Sequence, residues 1–214
     1  MDMSSLLEGY QRFRQQKLVG ERERYRTLAD QGQKPNHLII ACCDSRVAPE
    51  IVFDTSPGEI FVVRNVANIV PPYQPDGEFH ATSAALEFAV QSLKVAHVTV
   101  LGHGRCGGIK AALDPDMEPL SPGDFIGKWM ELLKPAAETI SGNSWMTGAE
   151  RQTALERISI RNSIQNLRTF PCVDILERKN KLTLHGMWFD IADGELWVMD
   201  TETGDFALVP EETS

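Results

Sequence analysis

The sequence contains little cysteine and no long apolar segment. Four cysteines occur in 214 residues, and none of them forms the C-x-x-C pattern of a redox motif. A disulfide-stabilised scaffold is therefore excluded. No apolar run is long enough to cross a bilayer, and the N-terminus lacks the basic and then apolar stretches of a secretory signal. We expect a cytoplasmic protein without a membrane partner; an organelle stroma or matrix stays open, because a transit peptide could have been removed.

Basic residues are also scarce relative to acidic ones. The chain has 21 Lys and Arg against 30 Asp and Glu, and its formal net charge is −9. Because phosphate contacts need clustered basic side chains, this balance argues against a nucleic-acid partner. Hydrophobic residues at 42% and charged residues at 24% are ordinary for a globular protein. The length suits one sizeable α/β domain.

Three short apolar runs, rich in β-branched residues, predict buried parallel strands at 37–41, 60–63 and 98–101. A helical pattern fills 80–94, between the second and the third run. This alternation of strand and helix indicates an α/β fold. Two later strands, within 182–200, are expected to form a hairpin. We therefore predict a mainly parallel central sheet of four to five strands, flanked by helices.

Two further signals concern the ends of helices. Residues 5–8 (SLLE) have the form of a helix capping box, and apolar residues recur after it at helical spacing. We predict a single domain, with a helical arm over 1–31 and an α/β core over 32–214. The arm either packs on its own core or lies on a second subunit, and the spacing leaves both open. Later in the chain, Pro171 is expected to stop a helical stretch.

The octapeptide LGHGRCGG, at 101–108, admits two interpretations. Its glycines fit the G-x-G-x-x-G loop that binds a dinucleotide pyrophosphate, whereas His103 and Cys106 are three residues apart, like a pair of metal ligands. A dinucleotide fold needs a further strand after the glycine loop, with an acidic residue about 20 positions on. The chain instead enters DPDMEPLSPGD, at 114–124, which is too rich in proline and charge for a buried strand. The metal interpretation is therefore favoured.

A third candidate ligand follows the first predicted strand. Cys42 stands there as His103 stands after the third strand, and parallel strands present their carboxyl ends at one edge of a sheet. Two thiolates and one imidazole are the ligand count of a catalytic zinc site with its fourth position open. Each residue alone is more often a core residue, but their combination with Asp44 and Arg46 favours a site.

The remaining cysteines and histidines show no ligand-like spacing. Cys43 is expected to point away from Cys42 and to pack rather than ligate, because side chains alternate along a strand. Cys172 has no partner in the pattern. We interpret the other histidines as structural: His37, His80, His97 and His185.

The motif C-x-D-S-R, followed by H-x-x-C, resembles the β-class carbonic anhydrases, in their plant-like branch, and we expect a bacterial member of it. The likeness is dense over 32–113. It implies one Zn²⁺ per chain, bound by Cys42, His103 and Cys106. It also implies the reversible hydration of carbon dioxide to bicarbonate, by attack of a zinc-bound hydroxide that Asp44 and Arg46 orient. Carbon dioxide, bicarbonate and water are then the small-molecule partners.

The resemblance also implies a substrate pocket and an assembly. The family assembles as homodimers or higher homo-oligomers with the active site at the subunit interface, which favours an arm lying on a second subunit. Residues of this sequence at the family's substrate-binding positions are Gln33, Phe61, Val66, Phe88 and Gly107.

Two alternatives to carbon dioxide hydration stay open. One is a hydrolase of carbonyl sulfide or carbon disulfide on the same scaffold, with the same zinc chemistry. The other is a non-catalytic protein with a structural zinc site, which would need a fourth protein ligand. Asp44 is the only nearby candidate for that ligand, so the position of its carboxylate discriminates between an open and a closed site.

A regulatory site of some bacterial family members is incomplete here. They bind inhibitory bicarbonate through a tryptophan, an arginine and a tyrosine, and the aspartate then closes onto zinc. Arg64 is present in this chain, but Ile39 and Phe189 occupy the other two positions. Neither side chain can hydrogen-bond the ion. We therefore predict that Asp44 pairs with Arg46 and that water, not Asp44, takes the fourth position on the metal.

Overall fold

One mixed sheet organises the chain. The computed structural model describes residues 2–211, so Met1 and 212–214 of the predicted domain lie outside the described part. The sheet order is the second, first, third, fourth, fifth and sixth strand; the first four in this order run parallel, and the fifth and sixth each pair antiparallel with the strand before. Within the described residues the strands are β1 (His37–Cys42), β2 (Ile60–Asn65), β3 (His97–His103), β4 (Thr183–Phe189), β5 (Leu196–Met199) and β6 (Phe206–Leu208).

Helices precede the sheet and cover it. Across 2–211, none of them has both the length and the apolar character needed to cross a membrane. A π-helical segment joins the first two helices at Phe13–Lys17, and another extends the fourth helix over Phe88–Leu93. The α-helices are α1 (Met3–Arg12), α2 (Leu18–Gln31), α3 (Pro49–Val52), α4 (Ala81–Glu87), α5 (Gly107–Ala112), α6 (Phe125–Met130), α7 (Lys134–Ser141), α8 (Gly148–Leu167) and α9 (Pro171–Arg178).

The two central parallel strands, β1 and β3, are buried on both faces, as their apolar composition predicts, whereas β2 is half-buried along its length. On one face, Leu38 and Val98 pack with Ile160 of α8. On the other face, Ile39 and Leu101 belong to a smaller apolar cluster. Because β1 lies between β2 and β3 in parallel register, the carboxyl ends of these strands meet at one edge of the sheet.

Helix α8 lies unusually close to the sheet where two strands carry glycine. A Cβ atom added to Gly102 of β3 would lie 2.7 Å from Cδ1 of Ile160. One added to Gly186 of β4 would lie 2.9 Å from Cγ2 of the same isoleucine. Since Ile160 is fully buried, the side chain has little room to move away. Gly102, the first glycine of the apparent dinucleotide motif, is thus needed for helix–sheet packing.

The N-terminal helices form the predicted arm, but they begin earlier than expected. Asp2, not Ser5, caps α1, because its carboxylate accepts a hydrogen bond of 2.9 Å from the Ser5 backbone N–H. The predicted capping box is therefore wrong. No residue of α1, of the π-helical segment or of α2 is buried. An ion pair of 2.9 Å between Arg24 and Glu59 connects α2 to the core.

Two other expectations need correction. The sheet has six strands instead of four to five, because β6 adds three residues at its antiparallel edge. Pro171 does not stop a helix but begins α9, where it occupies the first helical position. Proline suits that position because a first-turn N–H has no partner within the helix. The hairpin between β4 and β5 is confirmed.

Candidate active site

The carboxyl edge of the sheet brings the three predicted ligands together. Cys42 ends β1, His103 ends β3, and Cys106 precedes α5 as its N-cap residue. One ligand atom from each residue lies within 4.8 Å of those of the other two. The sulfur atoms of Cys42 and Cys106 are 3.9 Å apart, and all three side chains are buried. Residues up to 64 positions apart in the sequence thus meet at one point.

The imidazole of His103 is prepared to bind a metal through Nε2. Its Nδ1 lies 2.9 Å from the Gly104 carbonyl oxygen, and a carbonyl can only accept, so Nδ1 carries the proton. Nε2 is buried without a hydrogen-bond partner within the described chain. A buried polar atom without a partner is costly, unless it has a ligand. The tautomer, the two sulfur atoms and this free nitrogen fit a zinc ion.

The two cysteine sulfur atoms are within hydrogen-bonding distance, and either can be the donor. Their contact lowers the pKa of Cys42 and raises that of Cys106. Burial raises the pKa of both groups and opposes ionisation of the second thiol. A metal cation would relieve this conflict, because it would stabilise both thiolates.

Asp44 and Arg46 form the predicted ion pair next to the ligands. Nε of Arg46 donates to Oδ1 of Asp44 at 2.9 Å, and Nη2 donates to Oδ2 at 2.6 Å. These hydrogen bonds hold the pKa of Asp44 well below its usual range. Oδ2 of Asp44 is 3.9 Å from Nε2 of His103. An ionised carboxylate therefore borders the ligand cluster and is held by an arginine.

Arg64 fixes the backbone between the ligand and the ion pair. Its Nε donates to the Cys42 carbonyl at 2.8 Å, and its Nη2 donates to the Asp44 carbonyl at 2.6 Å. Ile39 and Phe189, at the other two positions of the regulatory site, belong to the same apolar cluster. The guanidinium of Arg64 is thus used for structure at this edge.

A buried carboxylate supports the second motif. Glu156 of α8, only 2% exposed, accepts hydrogen bonds from the backbone N–H of Cys106 at 3.0 Å, from Nε2 of Gln152 at 3.1 Å and from Nε1 of Trp188 at 3.1 Å. Burial raises its pKa. The sequence did not single out Glu156, because a glutamate in a helix is usually solvated. The only signal in the sequence for its burial is that Glu156 falls at helical spacing with the residues of α8's buried face.

The backbone between the ligands is strained. Arg105 has a φ of 56°, in the left-handed region that favours glycine, and its side chain is exposed. Its carbonyl accepts a hydrogen bond of 3.2 Å from Nη2 of Arg46. This conformation turns the chain so that Cys106 faces back toward His103, which gives Arg105 a role through its backbone.

The predicted substrate-binding residues fall into two groups. Val66 lies near the ligands, since a Cβ atom added to Gly108 would lie 2.8 Å from its Cγ1, and Gly107 begins α5. Gln33, Phe61 and Phe88 lie toward the other end of the sheet. Phe61 is paired with Leu38 and packs on Phe88 with ring centroids 5.9 Å apart. Four residues of strand, about 13 Å, separate Phe61 from the level of Cys42.

The other cysteines and histidines differ partly from expectation. Cys43 is exposed, so it does not pack in the core, and Cys172 is half-buried. The G-x-G-x-x-G interpretation fails in context as predicted, because α5 has only six residues and no strand follows it directly. Three histidines that we interpreted separately lie together at the amino end of the sheet: His37, His97 and His185.

Comparison with known proteins agrees with this geometry. The profile of a family described as carbonic anhydrase matches residues 37–196. The chain is 38% identical over 191 residues to the chloroplastic β carbonic anhydrase 5 of Arabidopsis thaliana, a match that covers 88% of this chain. The chain spans only 62% of the length of that relative. It is 34% identical over 211 residues to a carbonic anhydrase of Pseudomonas aeruginosa, covering 98% of this chain and 93% of the relative.

Solved structures share the whole architecture. The β-carbonic anhydrase CcaA superposes with a TM-score of 0.89 at 29% identity, covering 98% of this chain and 93% of that one. One of two tetrameric β-carbonic anhydrases from Sordaria macrospora superposes with a TM-score of 0.79 at 28% identity, covering 95% and 98%. The profile match spans well over half of the sequence and contains every predicted ligand. The chain belongs to the β-class carbonic anhydrase family.

Proposed function

We propose that this chain catalyses the reversible hydration of carbon dioxide to bicarbonate with one zinc ion held by Cys42, His103 and Cys106. When bound, zinc supplies a nucleophile at neutral pH by lowering the pKa of water. The observation that carries the proposal is the position of Asp44. Its ionised carboxylate stands 3.9 Å from the unpartnered Nε2 of His103, beside the ligands but turned to Arg46.

The chain's own contribution is orientation of the attacking water. An ionised carboxylate can only accept hydrogen bonds, so Asp44 accepts one from that water and directs the oxygen lone pair at the carbon. Arg46 keeps the carboxylate ionised and fixes both of its oxygens. Because Asp44 already accepts hydrogen bonds from three N–H donors of Arg46, one on the backbone and two on the guanidinium, it is poorly placed to act as a fourth metal ligand. This supports an open, catalytic site over a closed, structural one.

The path of the substrate is apolar. A cavity of ≈ 520 Å³ borders Val66 and is lined by Phe79, Ile126 and Trp129 among others. The indole Nε1 of Trp129 donates to the Val66 carbonyl at 2.8 Å, which fixes this wall. An apolar wall suits carbon dioxide, which carries no charge, and we propose that the substrate approaches along it.

The test combines metal analysis with stopped-flow hydration of carbon dioxide. After passage over a weak chelator, the wild-type chain should retain about one zinc and be active. Cys106→Ala should lose both the zinc and the hydration activity, because the two remaining ligands do not hold the ion. Cys43→Ser is the matched control, since Cys43 is an exposed neighbour of a ligand, and it should retain both. A Cys106→Ala variant with full zinc would refute the ligand assignment. Parallel assays with carbonyl sulfide and carbon disulfide test the alternative substrates.

We further infer a homo-oligomer with the active site at the subunit interface. Gln33, Phe61 and Phe88 lie too far along the sheet to wall the site of their own chain, and we propose that they wall that of a second copy. The arm over 1–31 has no buried residue among those described and carries exposed apolar side chains, including Leu6, Leu7 and Tyr10. The tetrameric relatives support this assembly. Sedimentation of the full chain and of Leu6→Ser/Leu7→Ser tests it, and a monomeric wild type contradicts it.

Two remaining expectations join the proposal. We propose one domain over 1–214, because residues from His37 to Leu208 contribute to one sheet; a single calorimetric transition tests this. A cytoplasmic or organellar location stays a prediction, which cell fractionation checks.

A further inference from the structure

Three of the five histidines converge at the amino end of the sheet. His37 and His97 are the first residues of β1 and β3 and are paired in register. His185 of β4 is paired with Thr99, two residues after His97. Because side chains alternate along a strand, His97 and Thr99 share a face, and so do their partners. The three imidazoles therefore project from one face of three adjacent strands.

The distances within the cluster are close to those of a metal site. Nδ1 of His97 and Nε2 of His185 are 3.1 Å apart, and the rings of His37 and His97 stack with centroids 4.4 Å apart. One ring nitrogen from each histidine lies within 4.8 Å of the other two. Two nitrogens on a tetrahedral zinc with Zn–N of about 2.05 Å are about 3.3 Å apart. One pair already meets that separation, and rotation of His37 about its side-chain bonds is the adjustment required.

The environment keeps the imidazoles available as ligands. All three side chains are half-buried, so a cation can approach from solvent. Burial, and then repulsion by neighbouring histidines, lowers the pKa of His37 and of His185. Neutral imidazole is the form that binds metals, and a lowered pKa favours it. Strands of a sheet are also rigid supports for a ligand set.

We propose that His37, His97 and His185 form a second, independent site for a late first-row divalent cation, with zinc as the ion to test. Imidazole nitrogen is a preferred ligand of zinc, copper and nickel. Three neutral imidazoles leave the ion's charge uncompensated and its remaining position open to solvent. The second site therefore binds zinc more weakly than the site with two thiolates. Five to six residues of strand, about 16–20 Å, separate the two.

The experiment titrates zinc into protein that already holds one zinc per chain. Calorimetry should show one further equivalent for the wild type and for His80→Ala, a matched variant whose histidine pairs with Asp76 outside the cluster. His97→Ala and His185→Asn should lose that equivalent and keep the first. Carbon dioxide hydration by the variants reports that they are folded. Cys106→Ala should lose the first equivalent and keep the second, so failure of the proposed catalytic site and failure of this one are distinguishable.

A second measurement needs no variant. In ¹H–¹⁵N spectra of the wild type, the second equivalent should shift the ring-nitrogen resonances of three histidines and leave that of His80 unchanged. Cobalt added in place of the second zinc should give a spectrum without sulfur-to-metal charge transfer. Saturation at one zinc, equal binding of the second zinc by His97→Ala, or a shift at His80 alone would overturn the proposal.

Discussion

The two ends of the parallel sheet carry histidines in different settings. At the carboxyl end, His103 is 1% exposed, and backbone and side-chain contacts fix it and the two cysteines beside it. At the amino end, three half-exposed imidazoles stand on the strands themselves and contact one another. Cys42 and His103 are themselves the last residues of their strands, so the difference lies in what surrounds them. At the carboxyl end the following segments cover the candidate ligands, the chain turns back at Arg105, and Glu156 of α8 supports Cys106, whereas the amino-end histidines contact mainly one another.

The sharpest test of the carboxyl end removes the charge of Asp44. Asp44→Asn should keep its zinc and lose about 10²- to 10⁴-fold in hydration rate, because the amide cannot accept the proton of the attacking water in the same way. Asp174→Asn, which breaks a surface pair with Arg178, is the control and should leave the rate unchanged. Stopped-flow rates and zinc content measure both. A near-normal rate for Asp44→Asn would remove Asp44 from the mechanism.

The pH profile tests the same ion pair. The pKa of Asp44 lies below its usual range, so the group binds a proton less readily in the folded chain. Its contribution to stability is present above the unfolded-state pKa of about 3.9 and is lost only as pH falls through the lower folded value. Between pH 8 and pH 5 the pair persists, and activity should fall by no more than about tenfold per pH unit, as one ionisation requires. A steeper, cooperative loss would show that Asp44 leaves Arg46.

Tight packing of α8 behind the carboxyl end predicts a stability effect. Gly102→Ala should lower the free energy of unfolding by about 1–3 kcal/mol, because its methyl group meets buried Ile160. Gly148→Ala, at the open start of α8, has no heavy atom within 4 Å of the added Cβ and should change stability little. Urea denaturation of the two variants gives the comparison. Equal stabilities would mean that α8 can shift away from the sheet.

Replacing the buried carboxylate of Glu156 should lower the free energy of unfolding by as much as Gly102→Ala or by less. Glu156→Gln replaces one acceptor oxygen with an amide donor, which then faces N–H groups of Cys106, Gln152 or Trp188. We expect a loss of about 1–3 kcal/mol in unfolding free energy. Glu177→Gln, in a partly exposed pair with Arg168, should lose less than about 1 kcal/mol. Chemical denaturation should rank the two variants in this order, and the reverse order contradicts a supporting role for Glu156.

The smallest expected effect concerns the amino end of the sheet. His97→Ala should hydrate carbon dioxide within about twofold of the wild type, since His97 stands six positions before His103 on β3 and on the sheet face opposite to Phe61. That result would mean that the histidine cluster at the amino end and the candidate active site at the carboxyl end function independently. A tenfold change in rate at unchanged zinc content would instead show coupling through β3.

The residues that the sequence predicted well share a local signature. The strands before Cys42 and His103 are apolar and β-branched, and a parallel sheet then brings their ends together without further information. Pairings that arise only in the folded chain have no such signature. His37 and His97 meet through register, and Glu156 reaches Cys106 across 50 residues. Pro171 was misassigned because proline is compatible with the first position of a helix as well as with the end of one.

The exposed arm has a consequence for how the protein responds to its own concentration. Isolated helices of this length are marginal in water, and no buried side chain supports α1 or α2. If the arm lies on a second copy, as proposed, its order becomes subject to mass action. Dilution would then unwind the arm and open the pocket walls in one step. Specific activity per chain would rise with protein concentration, and the cell's expression level would itself set the fraction of chains that are competent.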